Sequence, residues 1–228
     1  MTAHLRSEIE GLKRRLLTQA AMVEEQLALA VKAVEERSAD LARRVMEGDL
    51  EIDRSEVTIE EECFKLLALH QPVAVDLRFI VAALKVNNDL ERVGDLAVNI
   101  AERAAFLCDV SPVAVPFDFE GMAAKTRAML AKSLDALINL DVAAANEVCR
   151  ADDEVDAINR DMYEQVKKAI RKHPEHIEQL VHLLCVSRHL ERVADHATNI
   201  AEDLIYLVEG RIVRHAPEVF GVQRGGGQ

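Results

Sequence analysis

Apolar residues recur every three or four positions along most of this chain, which is the spacing of an amphipathic α-helix. The first such segment, 5–37, carries an apolar stripe of Leu5, Ile9, Leu12, Leu16, Ala20, Val23, Leu27, Ala30 and Val34. The other predicted helices are a short one from Asp40 to near Gly48, one from Asp49 or Asp53 to about His70, and four over 74–108, 118–139, 142–172 and 175–209. An alternating strand pattern is absent, so the sequence predicts an all-α protein.

The second half of the chain repeats the first. LERVGDLAVNIAE at 90–102 and LERVADHATNIAE at 190–202 are identical at ten of thirteen positions. The repeat predicts two tandem three-helix bundles, six helices in all, related by an internal pseudo-twofold; one six-helix bundle with that symmetry is the alternative. We expect a first repeat over 1–110, a second over 111–212, and a flexible C-terminal tail over 213–228.

Composition narrows the class of protein. The 228 residues carry a net charge of −12. This disfavours nucleic acid as a partner, because binding to the nucleic-acid backbone needs a basic protein surface. The acidic chain suits a cytoplasmic protein or one that recruits cations. No stretch of 18 apolar residues is present, so we expect no membrane insertion. The four cysteines are widely spaced among apolar helical residues and are predicted to be buried thiols: Cys63, Cys108, Cys149 and Cys185.

Pairs of acids one helical turn apart occur in both halves. Glu91 and Asp95 share one face of their predicted helix, opposite an apolar stripe, and the sequence places this acidic face away from the core. The eight candidate metal ligands are Asp49, Asp53, Glu91 and Asp95 in the first repeat and Asp152, Asp156, Glu191 and Asp195 in the second. Further along the same faces, the possible auxiliary ligands are Asn99, Glu102, Asn199 and Glu202.

Two interpretations of these acids compete. The first is a solvated acidic face, neutralised by arginines such as Arg92 and Arg192. The second is a cation site, because carboxylates at i and i+4 repel each other and four converging ones require a counter-charge. Oxygen ligands suit magnesium, calcium, manganese or iron. His189 and His196 are either softer ligands or ordinary hydrogen-bonded histidines.

Recognisable catalytic motifs are missing from the sequence. No Glu has a His three residues later, as a carboxylate-bridged di-metal enzyme would require. There is no H-E-x-x-H motif and no glycine-rich nucleotide loop. The sequence therefore predicts a non-enzyme, with a metal-free helical adaptor or, less favoured, a carboxylate-bridged metal enzyme as alternatives.

The two LERV blocks, each on the last helix of a three-helix repeat, resemble the signature of the PhoU family of phosphate-transport accessory proteins. That family is described by a repeated E(D)-x-x-x-D motif. The Glu47-Gly-Asp49 segment, the QPVAVDLR stretch at 71–78 and the linker position are similar as well. The resemblance covers about residues 5–210.

The resemblance implies a cytoplasmic all-α negative regulator of phosphate uptake and phosphate-starvation signalling, commonly a homodimer. Its implied partners are the ATPase of the high-affinity phosphate ABC transporter and the phosphate-sensing histidine kinase. It also implies surface clusters of iron or another metal on the E(D)-x-x-x-D motifs. By position, these motifs supply the same eight acids that the helical spacing singled out.

Overall fold

The computed structural model describes residues 3–115 and 118–211. This part of the chain folds into six α-helices and a short 3-10 helix at Pro174–His176, without a strand. The α-helices are α1 (Ala3–Glu35), α2 (Ala39–His70), α3 (Ala74–Asp109), α4 (Phe119–Asn139), α5 (Val142–Lys172) and α6 (Ile177–Glu209). The all-α prediction is confirmed. The predicted tail, 213–228, lies outside the described residues.

Matching polar caps begin the middle helix of each repeat. The Ser38 hydroxyl accepts a hydrogen bond from the Leu41 backbone N–H at 3.3 Å, and Asp141 Oδ1 accepts one from the Ala144 N–H at 3.0 Å. Each cap satisfies a backbone donor that the first helical turn leaves unpaired. The chain therefore turns in the same way from α1 into α2 and from α4 into α5.

The predicted break near Gly48 is wrong, because α2 is continuous from Ala39 to His70. Neither Asp49 nor Asp53 opens a helix, and the N-cap is Ser38 rather than Asp40. Gly48 serves packing instead: a Cβ there would lie 1.8 Å from Nε2 of Gln26 on α1. The missing side chain leaves room for the Gln26 amide, and a glycine inside a helix can be retained for such a contact.

Each repeat forms a three-helix bundle, and α3 and α6 join the two. Lys85 Nζ near the start of α3 lies 2.9 Å from Asp203 Oδ1 near the end of α6. Phe106 near the end of α3 stacks on His182 near the start of α6, with ring centroids 3.7 Å apart. The two helices therefore run antiparallel, as they would around a pseudo-twofold axis perpendicular to them.

The apolar stripes predicted on the last helix of each repeat form the centre of the core. The α3 residues Leu90, Val93, Ala97, Ile100 and Ala104 are fully buried, as are the α6 residues Leu190, Val193, Ala197, Ile200 and Leu204. Buried side chains from both repeats belong to one continuous cluster. Burial of apolar area in this shared core therefore holds the two bundles together.

Two of the four cysteines differ from prediction. Cys63 and Cys149 are buried, whereas Cys108 and Cys185 are partly exposed, and all four are free thiols. Cys108 lies in the last turn of α3, where the chain leaves the bundle, so its neighbours cover it incompletely.

Among the described helices, none combines the length and apolar character needed to cross a membrane.

Candidate metal centres

The first acid cluster lies where α2 packs against α3. Burial raises the pKa of Asp49, and the charges of Asp53 on its own helix and of Asp95 on α3 raise it further. Burial also raises the pKa of Glu91, followed in effect by the charge of Asp95. Asp53 interacts with Glu91 across the helices as well. The packing of α2 on α3 therefore brings the two predicted acid pairs into one electrostatic group.

The two helices pack closely at Gly94. A Cβ at Gly94 would lie 3.3 Å from the Ile52 side chain and 3.5 Å from Asp49 Oδ1. The Asp49 carboxylate thus lies over the backbone of α3, one residue before Asp95. The second repeat has Ala194 at the equivalent position.

The second cluster, between α5 and α6, is the more strongly perturbed. Burial, followed by the charges of Asp195 and Asp156, raises the pKa of Asp152 to about 7. Burial and the charge of Asp195 raise the pKa of Glu191. Burial and Asp156 raise that of Asp195. Such mutual repulsion favours either protonation or a bound cation.

A fifth acid of the first cluster was missed from the sequence. The charge of Glu56, one turn after Asp53 on α2, contributes to the raised pKa of Glu91. Burial and the charges of Glu60 and Asp53 raise the pKa of Glu56 itself. Its spacing of three from Asp53 is a signal that sequence reasoning could have used.

The acids lie outside the buried core, as predicted, but most of them are less exposed than an outward face implies. Six of the eight are partly buried, and only Asp53 and Asp195 are exposed. The reason is that α2 covers the acidic face of α3, and α5 that of α6. The helical spacing identified a common face but could not show which neighbouring helix packs on it.

Each cluster has a carboxylate oxygen that is buried without a hydrogen bond. These are Asp152 Oδ1 and Glu91 Oε2, and the second has the Arg92 guanidinium 3.3 Å away. A buried carboxylate without a hydrogen bond is costly, and a hard cation that prefers oxygen ligands would compensate for it. The described residues could therefore hold such an ion on either carboxylate set, with Glu91 and Asp152 as the least solvated ligands.

Arginines neutralise part of each cluster. Arg92 Nη1 lies 3.2 Å from Asp95 Oδ2, and its Nε lies 3.3 Å from Glu91 Oε2. In the second cluster, Arg160 Nη1 lies 3.2 Å from Asp156 Oδ2. These guanidinium groups are exposed, so their pairing is screened by solvent and contributes little.

The possible auxiliary metal ligands differ in their positions relative to the acid clusters. Asn99 donates a hydrogen bond to the Asp95 backbone carbonyl at 2.8 Å, and Asn199 donates one to Asp89 Oδ1 on α3 at 3.2 Å. Asn199 therefore contributes to the joint between the repeats. Glu202 is closer to the second cluster, because its charge and that of Asp152 both raise the pKa of Cys149, after burial.

His189 and His196, the two histidines considered as ligands, contact other groups. His196 Nδ1 lies 2.7 Å from Asp89 Oδ1 on α3. His189 is partly buried, and burial together with Arg103, Arg192 and Arg188 lowers its pKa to about 4. His196 matches the hydrogen-bonded interpretation of the sequence, and His189 faces arginines instead of the acid cluster.

Two other ligand sets in the described chain bring three ligand atoms within 4.8 Å of one another, and neither contains a motif acid. They are His4, Glu8 and His70, and His173, Glu175 and His176. Sequence reasoning missed both sets. The signal available for the first was the spacing of four between His4 and Glu8.

Fold and site together define a class: duplicated three-helix repeats, each with a cluster of carboxylates between its second and third helices. The family model described as PhoU domain matches residues 16–104 and again 119–204. The chain belongs to the PhoU family. This confirms the resemblance drawn from the LERV blocks, and each match spans one of the two bundles.

Relatives and solved structures match nearly the whole chain. The chain is 38% identical over 208 residues to the phosphate-specific transport system accessory protein PhoU homolog of Aquifex aeolicus, covering 91% of this chain and 94% of that protein. It resembles the crystal structure of PhoU from Pseudomonas aeruginosa with a TM-score of 0.87 and 34% identity, over 90% of this chain and 99% of that one. The phosphate transport system regulatory protein PhoU from Streptococcus pneumoniae gives a TM-score of 0.84 and 28% identity, over 92% and 99% of the two chains.

Proposed function

We propose that this protein is an accessory protein of a phosphate-specific transport system that restrains phosphate uptake and phosphate-starvation signalling. Its proposed partners are the ATPase of the phosphate ABC transporter and the phosphate-sensing histidine kinase, and its proposed site of action is the cytoplasm, as a homodimer. Support comes from the two family matches and from the relatives' names. The absence of catalytic motifs from the sequence supports a role in binding instead of catalysis.

The regulatory role, in our proposal, uses metal ions at both acid clusters. The observation that carries this part is the state of Asp152, whose Oδ1 is buried without a partner and whose pKa is raised to about 7. In the first cluster, Glu91 is similar in its burial and raised pKa, although Arg92 neutralises part of its charge. Iron, manganese, magnesium or calcium suit such oxygen ligands. A bound ion would neutralise the repulsion and fix α2 on α3 and α5 on α6.

A deletion and complementation experiment tests the regulatory role. In a strain lacking this protein, a phosphate-starvation reporter should be active even in phosphate-rich medium. The intact chain should restore repression. It should also co-purify with the transporter ATPase and the kinase from phosphate-replete cells. An unchanged phosphate response in the deletion strain, with no paralogue present, would contradict the proposal.

A metal-free helical adaptor is the second candidate. It is favoured by the contacts of Arg92 with Glu91 and Asp95, which neutralise part of the first cluster without any ion. The double variant Asp95→Ala, Asp195→Ala separates the two candidates. If metal is needed, this variant should fail to restore repression, while a control with Asp135→Ala and Asp161→Ala, both exposed acids outside the clusters, should restore it. Full repression by the cluster variant favours the adaptor.

A further inference from the structure

A ligand set of different chemistry lies at one end of the first repeat, where the start of α1 meets the end of α2. His4 and Glu8 are one turn apart on α1, so their side chains share a face. His70 is the last residue of α2 and joins them from a distance of 62 positions in sequence. The ligand atoms of all three lie within 4.8 Å of one another.

The spacing of these atoms is close to that of a coordination sphere. His70 Nε2 lies 2.6 Å from Glu8 Oε2, and His4 Nε2 lies 3.7 Å from the same oxygen. Around a tetrahedral ion with bonds of about 2.0–2.1 Å, neighbouring ligand atoms are about 3.3 Å apart. The two observed separations bracket this value and the third lies within 4.8 Å, so the set closes on an ion by rotation of the side chains.

We propose that His4, Glu8 and His70 bind a divalent transition-metal ion of the zinc class, with water as the fourth ligand. Two imidazole nitrogens and one carboxylate favour zinc and similar borderline metals over magnesium or calcium. The site therefore differs in metal preference from the acid clusters, which offer oxygen alone. Nothing in it depends on the proposed regulatory function.

Burial divides the set into an anchored part and an open part. The His70 and Glu8 side chains are 16% and 25% exposed, whereas that of His4 is 75% exposed. The anchored pair already joins α1 to α2, so little ordering is needed when metal binds. The exposed imidazole leaves a path for the ion and an open coordination position. Metal binding would replace the hydrogen bond between His70 and Glu8 and would link the two helix ends.

The similar set in the second repeat is less well built. His173 Nδ1 lies 3.2 Å from Glu175 Oε1, and His176 Nε2 lies 3.8 Å from the same oxygen. All three residues come from one short connection, and their side chains are 38–60% exposed. Ordering them costs conformational entropy, so we expect weaker binding there. The test of the first set therefore uses a His173→Ala background.

Zinc is titrated into untagged full-length protein from which metal has been removed with a chelator. Excess magnesium is present to occupy the oxygen sites. Zinc affinity is measured by competition with a fluorescent chelator. Glu8→Gln is compared with Glu10→Gln, a matched change two residues away on α1. His4→Ala removes the exposed ligand, so it should not disturb the fold.

Glu10→Gln should bind one zinc equivalent at this site. Glu8→Gln and His4→Ala should bind that equivalent at least tenfold more weakly. Zinc should raise the Tm of Glu10→Gln and not that of Glu8→Gln. The site should persist in the Asp95→Ala, Asp195→Ala variant, so its failure and that of the acid clusters are distinguishable. Equal zinc affinity in Glu8→Gln, His4→Ala and Glu10→Gln would overturn the proposal.

Discussion

Asp89 on α3 and His196 on α6 form a polar pair that the repeat does not duplicate. His196 Nδ1 lies 2.7 Å from Asp89 Oδ1, and both side chains are largely buried. An offset of 100 residues maps Asp89 onto His189 and His196 onto Leu96, so the symmetry-related location cannot form the same pair. The two halves of the central joint are therefore chemically distinct, although their backbones repeat.

Removing the acid of this pair should destabilise the protein. Asp89→Ala would leave His196 and Asn199 without their shared acceptor in a largely buried place, and an orphaned buried polar group costs about 1–3 kcal/mol. Chemical denaturation measures the loss. Asp40→Ala is the control, because Asp40 is exposed and pairs with nearby Arg43, so its effect should stay within about 0.5 kcal/mol. Similar losses for both variants would refute the assignment of a structural role to Asp89.

Asp152 should make the metal-free protein less stable as the pH rises. Its pKa in the folded protein, about 7, exceeds its ordinary value of 3.8, so the folded state holds the proton more tightly than the unfolded state does. This contribution to stability is present below the ordinary pKa and is lost as the pH rises through about 7. In a chelator, Asp152→Asn should therefore raise Tm at pH 8 by about 2–4 °C, equivalent to about 1 kcal/mol, and have little effect near pH 4.

Asp161→Asn serves as the control for that experiment, because Asp161 is an exposed acid of the same helix outside the cluster. The Asp161 variant should keep the fall in Tm between pH 5 and pH 8, and the Asp152 variant should lose most of it. An identical pH dependence in both variants would show that Asp152 is not the titrating group.

The cysteines should fall into two reactivity classes. Burial, as the main cause, raises the pKa of the Cys63 and Cys149 thiols to about 12, so almost no reactive thiolate is present at neutral pH. Cys108 and Cys185 are partly exposed. A thiol-specific alkylating reagent should label Cys108 and Cys185 in the native protein and the other two only after unfolding, as peptide mass spectrometry would show. Rapid native labelling of Cys63 would contradict the packing of α2.

Periodicity predicted much of the fold because the core is regular. The buried stripes on α3 and α6 follow the three- and four-residue spacing, and the ten shared residues of the LERV blocks revealed the duplication. Gly48 misled the helix assignment, because a glycine that ends a helix and one that admits a neighbouring side chain look alike in sequence. Only the position of Gln26 on α1 distinguishes the two roles.

The sequence predicted which acids form the clusters but not how deeply neighbouring helices bury them. Spacing placed Glu91 and Asp95 on one face, yet their partial burial depends on the packing of α2, which local sequence does not encode. The His4, Glu8 and His70 set was missed for the same reason, since it joins two helices 62 positions apart. Long-range packing therefore decides which candidate ligands meet.

Metal content is the most direct test of the acid-cluster account. Protein purified without chelator and then loaded with excess iron or manganese should bind metal at both clusters, as measured by elemental analysis. The Asp95→Ala, Asp195→Ala variant should lose most of this metal while remaining helical by circular dichroism. The Asp135→Ala, Asp161→Ala control should retain it. Full metal stoichiometry in the cluster variant would contradict the account and would make both clusters ordinary acidic grooves.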